Sequence, residues 1–587
     1  MRQFFKFFFA SMLGFIVGSV VLFFLLILMI AGVVSTMSGP KTMAIHGPHV
    51  LKINLQQPLT ERTPNNPFRN FRAGEIKSQM QPGVYDIIED LDKAANDKNI
   101  KGIYLNITDI DGGISSVEEI RNAILKFKKS KKFVIAYSEY YSNKGYYLAS
   151  AADKVYLNPE GELDFRGYAT QLMFLKGMLE KVGVEPQIIR HGKFKSAVEP
   201  LTEEKMSDAN REQMKALIDD LWKHTLAGIG KSRNKTYDEL ELMADSLLIE
   251  SPADAVKYGL IDGTKYEDEI MKMLTEKSET KDDKVDFVSL EKYNNVPSGK
   301  KFHAQKIALI FATGSIGSGK GDDESIGSET TADAIRKARE DKNVKAIVLR
   351  VNSPGGSALA SDVIWREVTL AKKEKPVVVS MGDLAASGGY YISCAADKIY
   401  AQPNTITGSI GVFGVIFNAQ KMLNEKLGLT FDTYKTGEYG DMGLPTRALT
   451  PGERRKIQNS VENVYDQFTK KVGDGRGIAQ ANVDSIGQGR VWSGEDALQI
   501  KLVDELGGIN DAIAAAAKLA KITEYRVSQL PVQKEPFVEL LEGGADDVKQ
   551  SMINSELGAN AKYYKSLKDI FKMQGIQVRL PYDITIQ

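Results

Sequence analysis

An internal repeat constrains this chain more than any other feature. Lys98-Asn99-Ile100-Lys101-Gly102-Ile103-Tyr104-Leu105 recurs 244 residues later as Lys342-Asn343-Val344-Lys345-Ala346-Ile347-Val348-Leu349. At the same offset, GYYLASAADK (145–154) returns as GYYISCAADK (389–398). Further on, AVKYGLID (255–262) echoes ALQIKLVD (497–504), slightly out of register. Helix-like and strand-like segments alternate within each copy, so the expected architecture is a tandem duplication of one α/β domain. With 587 residues, 43% of them hydrophobic and 26% charged, the chain has the length and composition of a multidomain globular protein.

In the second copy the apolar run Ala346-Ile347-Val348-Leu349-Arg350-Val351 stops at Asn352-Ser353-Pro354-Gly355-Gly356. A second run, 376–381, leads to Ala385-Ala386-Ser387-Gly388-Gly389, with a helical segment (361–373) between the two. This is a βαβ unit, whose parallel strands bring both glycine turns to one edge of a sheet. Glycine lets backbone N–H groups approach a ligand. Ser387 beside such a turn therefore has the makings of a nucleophile facing an oxyanion hole.

At an offset of 244 the first copy has Asn143 in place of Ser387, and Asp109-Ile110-Asp111-Gly112-Gly113 in place of the Ser-Pro-Gly-Gly turn. Conversely, Arg190-His191-Gly192-Lys193-Phe194-Lys195-Ser196 becomes Tyr434-Lys435-Thr436-Gly437-Glu438-Tyr439-Gly440, so that Lys195 falls on Tyr439. Each copy has lost what the other kept. The five histidines are His46, His49, His191, His224 and His303, none within the second copy proper, so a Ser-His-Asp triad confined to that copy cannot be built. The first-copy segment 190–196 offers His191, Lys193 and Lys195 as candidate bases across the copies. His191 has no obvious acidic orienter, whereas Lys195 or Lys193 could act as a neutral amine if burial disfavours its charge. On an extended segment the two lysines would point the same way.

Residues 7–34 carry no charge and are long enough to span a bilayer, which takes about 20 residues. Arg2 and Lys6 precede them, so the positive-inside rule places the N-terminus in the cytoplasm and the rest across the membrane. A cleaved signal peptide has a shorter apolar region and a small-x-small site, which Val33-Val34-Ser35-Thr36-Met37 lacks, so an uncleaved anchor is expected. Basic and acidic residues balance at 76 each, and no basic excess points to nucleic acid. The single Cys394 excludes an intramolecular disulfide and a cysteine-based metal cluster. The Lys/Asp/Ser-rich stretch 275–301 reads as a solvated linker, and 533–587 has no counterpart in the repeat.

At VNSPGG (351–356), MGDLAASGGYY (381–391), TGSIG (407–411) and GKFKSAVEP (192–200) the chain resembles the bacterial signal peptide peptidase A family, in its long, duplicated, membrane-anchored form. The resemblance implies a Clp/crotonase-like fold of ββα superhelical units behind one transmembrane helix. It implies domains at 45–290, supplying lysine, and 302–525, supplying serine, after a stub and anchor at 1–37 and before an extension at 526–587. By motif, Ser387 is then the nucleophile and Lys195 the general base, Ser409 hydrogen-bonds the lysine, and the N–H groups of Gly356 and Gly388 form the oxyanion hole. No metal or cofactor is called for. The implied partners are signal peptides and other apolar peptides, inner-membrane lipid, and three further copies in a homotetramer, with the catalytic domains on the periplasmic side. Two alternatives stand beside this. A crotonase-type acyl-CoA enzyme shares the oxyanion turn but needs a cytoplasmic cosubstrate. A non-catalytic membrane scaffold would show no labelling by serine-reactive probes.

Overall fold

The computed structural model describes residues 2–38, 44–65, 80–279, 284–298, 303–534 and 575–580, with isolated positions at 553, 556–558, 561 and 564. The N-terminal helix Arg2–Ser38 contains a segment, Gln3–Leu25, long and apolar enough to cross a membrane, and among the described residues that segment is not buried.

The two copies build two sheets with the same strand plan. In the second copy the parallel strands Lys306–Thr313, Val344–Ser353 and Val377–Ala386 lie side by side, with Arg526–Leu530 outermost next to Lys306–Thr313. In the first copy His49–Ile53, Ile100–Leu105 and Phe133–Tyr141 repeat that order, with Phe287–Ser289 outermost next to His49–Ile53. The central strands are apolar on both faces because helices cover both sides. Ala346, Ile347, Val348 and Leu349 are buried without interruption. The helix between the glycine turns runs Ala358–Lys372, its first turn capped by the Ser357 hydroxyl, which accepts from the Ala360 N–H.

Each copy then sends a long helix across its core. Asp208–Arg233 is capped by Ser207. Pro451–Arg476 starts at a reciprocal cap between Thr450 and Glu453 and ends at the left-handed Gly477. The stretch 275–301 is not a linker throughout. It contributes the strand Phe287–Ser289 and the short helix Leu290–Tyr293, whose Leu290 and Tyr293 are fully buried. A three-residue edge strand is too short to show periodicity in the sequence, and its charged flanks resemble a linker.

A third sheet joins the copies. The first-copy strand Glu185–His191 pairs antiparallel with Val412–Asn418 of the second, from Glu185 opposite Asn418 to His191 opposite Val412. The strand Gly575–Arg579, from the segment after the repeat, lies between Val412–Asn418 and Gly355–Ser357 and is antiparallel to both. A buried ionic knot also joins the copies. Arg350, with no exposed surface, donates to Glu61 at 2.7 Å and to Glu119 at 2.6 Å, both first-copy residues. Asn352 donates to Glu61 at 2.6 Å, and Ser116 donates to Asp383 from both its N–H and its hydroxyl.

Candidate active site

Ser387 ends the strand Val377–Ala386 and precedes the helix Gly388–Ser393. Its backbone has a positive φ, 55°, with ψ −109°, a combination that costs a non-glycine residue about 1–3 kcal/mol. Neighbouring contacts enforce that conformation: the Ser387 N–H donates to the Gly408 carbonyl at 2.8 Å, and the Tyr391 N–H donates to the Ser387 carbonyl at 2.8 Å. The hydroxyl is thereby aimed away from its own helix and toward the first copy.

Lys195 meets it there. Its Nζ lies 2.8 Å from Ser387 Oγ, 3.0 Å from Ser409 Oγ and 3.1 Å from the Ser409 carbonyl oxygen. Lys195, Ser387 and Ser409 all have no exposed surface. Burial pushes the lysine pKa well below its usual value, and no carboxylate opposes the shift. A neutral amine has two N–H donors and one lone pair. The two oxygens of Ser409 take the donors, which leaves the lone pair for the Ser387 hydroxyl. Ser409 Oγ in turn can donate to the Gly489 carbonyl at 3.3 Å.

The lysine reaches this position through a tight turn rather than an extended segment. Gly192 sits at φ +106°, where a Cβ would collide with the Gln488 carbonyl, and the Phe194 N–H donates to that same oxygen at 2.9 Å. Gly489, at φ +85°, approaches so closely that its Cβ would lie 2.6 Å from Lys195 N and Cα. A Cβ on Gly411 would lie 3.0 Å from Lys195 Cδ. Among the lysine's close neighbours, sequence reasoning did not single out Gly489 or Gln488. Their one signal, the glycines of Gly487-Gln488-Gly489, is common to any turn.

The two glycines expected to form the oxyanion hole lie at the same place. Gly356 belongs to the short strand Gly355–Ser357 and Gly388 is the first residue of the helix after Ser387. Gly355 has φ +93°, and a Cβ there would lie 2.6 Å from Gly388 N, so the two turns touch. Among the described residues no group of three or more His, Cys, Asp or Glu side chains is arranged to hold a metal ion.

Three readings of the sequence change. Lys193 does not point with Lys195. The turn at Gly192 leaves it exposed, its Nζ above the Phe194 ring. His191 does have an acidic partner, Glu462, at 2.5 Å, and it stacks on Tyr465 at 3.8 Å between ring centroids. Those contacts hold the imidazole against the helix Pro451–Arg476 instead of Ser387. Finally, Gly183 and Gly428, Gly192 and Gly437, and Pro200 and Pro445 are each 245 apart, so one residue is inserted and Gly440, not Tyr439, stands where Lys195 does. The second copy lacks the cation on either alignment. In the first copy, buried Asn143 donates to the Gly167 carbonyl, and Lys144 fills the turn by donating to the Gly112 carbonyl.

A family model described as Peptidase family S49 matches the chain twice, at 126–281 and 369–523, and a Clp protease model matches 308–407. The chain is 36% identical over 526 residues to the chloroplastic serine protease SPPA of Arabidopsis thaliana, covering 87% of this chain and 76% of the relative. It is 38% identical over 492 residues to Protease 4 of Salmonella typhi, covering 81% and 79%. A putative signal peptide peptidase SppA of Enterococcus faecium is 40% identical over 194 residues, covering 33% and 56%. The two S49 matches fall one on each copy of the repeat and together take in more than half of the chain. With a Clp-like α/β fold duplicated in tandem, the chain belongs to peptidase family S49 and is a serine peptidase.

Proposed function

We propose that this peptidase is membrane-anchored and degrades signal peptides left in the bilayer after secretory precursors are cleaved, with a Ser-Lys dyad split between the copies. The observation that carries the dyad is the 2.8 Å approach of Lys195 Nζ to Ser387 Oγ in a site without exposed surface. Lys195 comes from the domain at 45–290 and Ser387 from the domain at 302–525. Neutral Lys195 takes the Ser387 proton as Oγ attacks the peptide carbonyl carbon. The N–H groups of Gly356 and Gly388 hold the oxyanion, where preorganised donors are worth most. The lysine ammonium gives its proton to the leaving amine, and an ester to Ser387 remains. Lys195 then deprotonates water, which attacks the ester and frees a carboxylic acid and Ser387. Ser409 orients the lysine for both transfers.

The apolar helix segment Gln3–Leu25, unburied among the described residues, supports contact with lipid. Arg2 and Lys6 ahead of it support a cytoplasmic N-terminus and periplasmic catalytic domains at the inner membrane. Signal peptides as substrates follow from the name of the Enterococcus relative and from an anchor that keeps the site near apolar peptides. Assembly as a homotetramer follows from the family resemblance alone.

Ser387→Ala and Lys195→Ala should each abolish cleavage of an apolar peptide by folded protein. The double variant should be scarcely worse, because members of one catalytic unit do not contribute additively. Full turnover by Lys195→Ala would overturn the dyad.

A further inference from the structure

Lys195 is held through its flanking residues as well as through its own amine. Gln213, on the first-copy helix Asp208–Arg233, reaches both of them: its Nε2 donates to the Phe194 carbonyl at 3.1 Å and to Ser196 Oγ at 2.9 Å. At its other end, Gln213 Oε1 accepts from the Val491 N–H of the second copy at 3.3 Å. Val491 pairs with Gly408 across the strands Val491–Ser493 and Ile406–Gly408. The Gly408 carbonyl is in turn the acceptor for the Ser387 N–H. One amide therefore ties the chain on either side of the lysine to the strands that anchor the serine.

The surroundings of Gln213 allow it one orientation. Its side chain is buried, the Val491 N–H can only donate and the Phe194 carbonyl can only accept, so the amide cannot be reversed. Asn210, one turn earlier on the same helix and without exposed surface, sets Oδ1 3.1 Å from Gln213 Nε2. The Asn210 Nδ2 donates to buried Glu199 at 2.9 Å, and Glu199 also accepts from the N–H and hydroxyl of Ser207 at the helix start. Arg190 donates to the Lys195 carbonyl at 3.3 Å and lies 3.9 Å from Glu199. A buried carboxylate thus anchors a chain of polar groups that ends on the lysine turn. The second copy lacks this arrangement as it lacks the lysine: counted from the helix caps Ser207 and Thr450, exposed Lys456 stands at the place of Gln213.

We propose that Gln213 is a positioning residue of the peptidase, setting the separation of Lys195 Nζ from Ser387 Oγ by locking the first-copy turn to the second-copy strand. The inference rests on the dyad reading and adds the group that registers its two halves. Without the amide, residues 194–196 lose their only hydrogen bonds from the helix among those described, and the lysine turn can slide against the serine strand. A misplacement of about 1 Å costs on the order of 100-fold in rate. Gln213 is 1% exposed and does not meet a bound peptide, so the loss falls on the chemical steps.

The test compares the full chain in detergent with Gln213→Met, Gln213→Glu, Thr225→Val and Lys195→Ala. Methionine removes donor and acceptor at similar volume. Glutamate keeps an acceptor for the Val491 N–H but, once ionised, has no proton for the Phe194 carbonyl. Thr225 is buried on the same helix and donates to the Leu221 carbonyl at 2.9 Å, so its variant measures the cost of losing a polar group there without touching the lysine turn. Each variant is assayed for kcat and KM on a fluorogenic apolar peptide across pH, for fluorophosphonate labelling of Ser387, and for its thermal melt. Both Gln213 variants should lose about 100-fold in kcat with KM unchanged. Their rising pH limb should move up toward the ordinary lysine range, because a loosened amine is less completely desolvated. Thr225→Val should lose stability alone. Wild-type kcat or an unmoved pH limb in either folded Gln213 variant would overturn the positioning role, while loss of labelling in Lys195→Ala would leave the dyad standing. Labelling retained in Lys195→Ala would overturn the dyad and this inference with it. Failure of both Gln213 variants to fold, with Thr225→Val folded, would show Gln213 to be required scaffold and would also overturn it.

Discussion

Replacing Gly489 by alanine should disable the peptidase without altering any group that reacts. The new Cβ would stand 2.6 Å from the N and Cα atoms of Lys195, a backbone contact that no side-chain rotation relieves. Gly489 also sits at φ +85°, so the alanine adds backbone strain of about 1–2 kcal/mol. Restoring ordinary contact moves the Lys195 backbone or the 487–490 turn by up to about 1 Å, and a misplacement of that size costs on the order of 100-fold in rate. Gly477→Ala is the matched control. Its φ is +65°, so it carries similar strain, but a Cβ there meets nothing within 4 Å. With a fluorogenic peptide and a thermal melt on each variant, Gly477→Ala should show the stability loss due to strain alone, Gly489→Ala should lose more because of the added collision, and only Gly489→Ala should lose about 100-fold in kcat. Wild-type turnover in Gly489→Ala would refute the claim that this turn positions the lysine.

The pH profile should follow an amine that reacts only when deprotonated. Activity should rise with pH through a lysine pKa that burial holds well below its ordinary value near 10.4, and Ser409→Ala should shift that limb. The same burial makes Lys195 destabilising. A depressed amine pKa means that the unfolded chain binds more protons below its own pKa, so Lys195→Met should raise the melting temperature at neutral pH while abolishing turnover, and the gain should vanish as pH approaches 10.4. Arg350→Met should cost about 3–5 kcal/mol in denaturant unfolding, because it strands Glu61 and Glu119 in the interface between the copies. Lys193→Ala and His191→Ala should retain most turnover on the same peptide, since the first is exposed and the second is occupied by Glu462 and Tyr465.

The legible parts were those in which one residue type has one physical use. The runs 346–351 and 376–381 are almost continuously apolar and end at glycine turns, as strands buried on both faces do, and both belong to central strands. The repeat then doubled every inference, and the exchange of Ser387 for Asn143 and of Lys195 for an uncharged residue pointed across the copies. What stayed hidden depends on contacts distant in sequence. The part played by Arg350 inside its apolar strand was not visible, because its partners Glu61 and Glu119 lie more than 200 residues before it. Lys193 and Lys195 looked equivalent because the turn at Gly192 is set by Gln488, nearly 300 residues away. The strand Gly575–Arg579 has no partner within the repeat pattern, so nothing in its five residues marked it as part of the sheet beside the nucleophile.

The account stands most directly on the rate at which a fluorophosphonate labels Ser387, followed by peptide mapping in the wild type, Lys195→Ala and His191→Ala. The wild type should be labelled at Ser387, with a rate that rises with pH as Lys195 loses its proton. His191→Ala should match it, and Lys195→Ala should lose the labelling. Undiminished labelling of Ser387 in Lys195→Ala, or a label mapped to a different serine, would contradict a nucleophile in one copy activated by the lysine of the other.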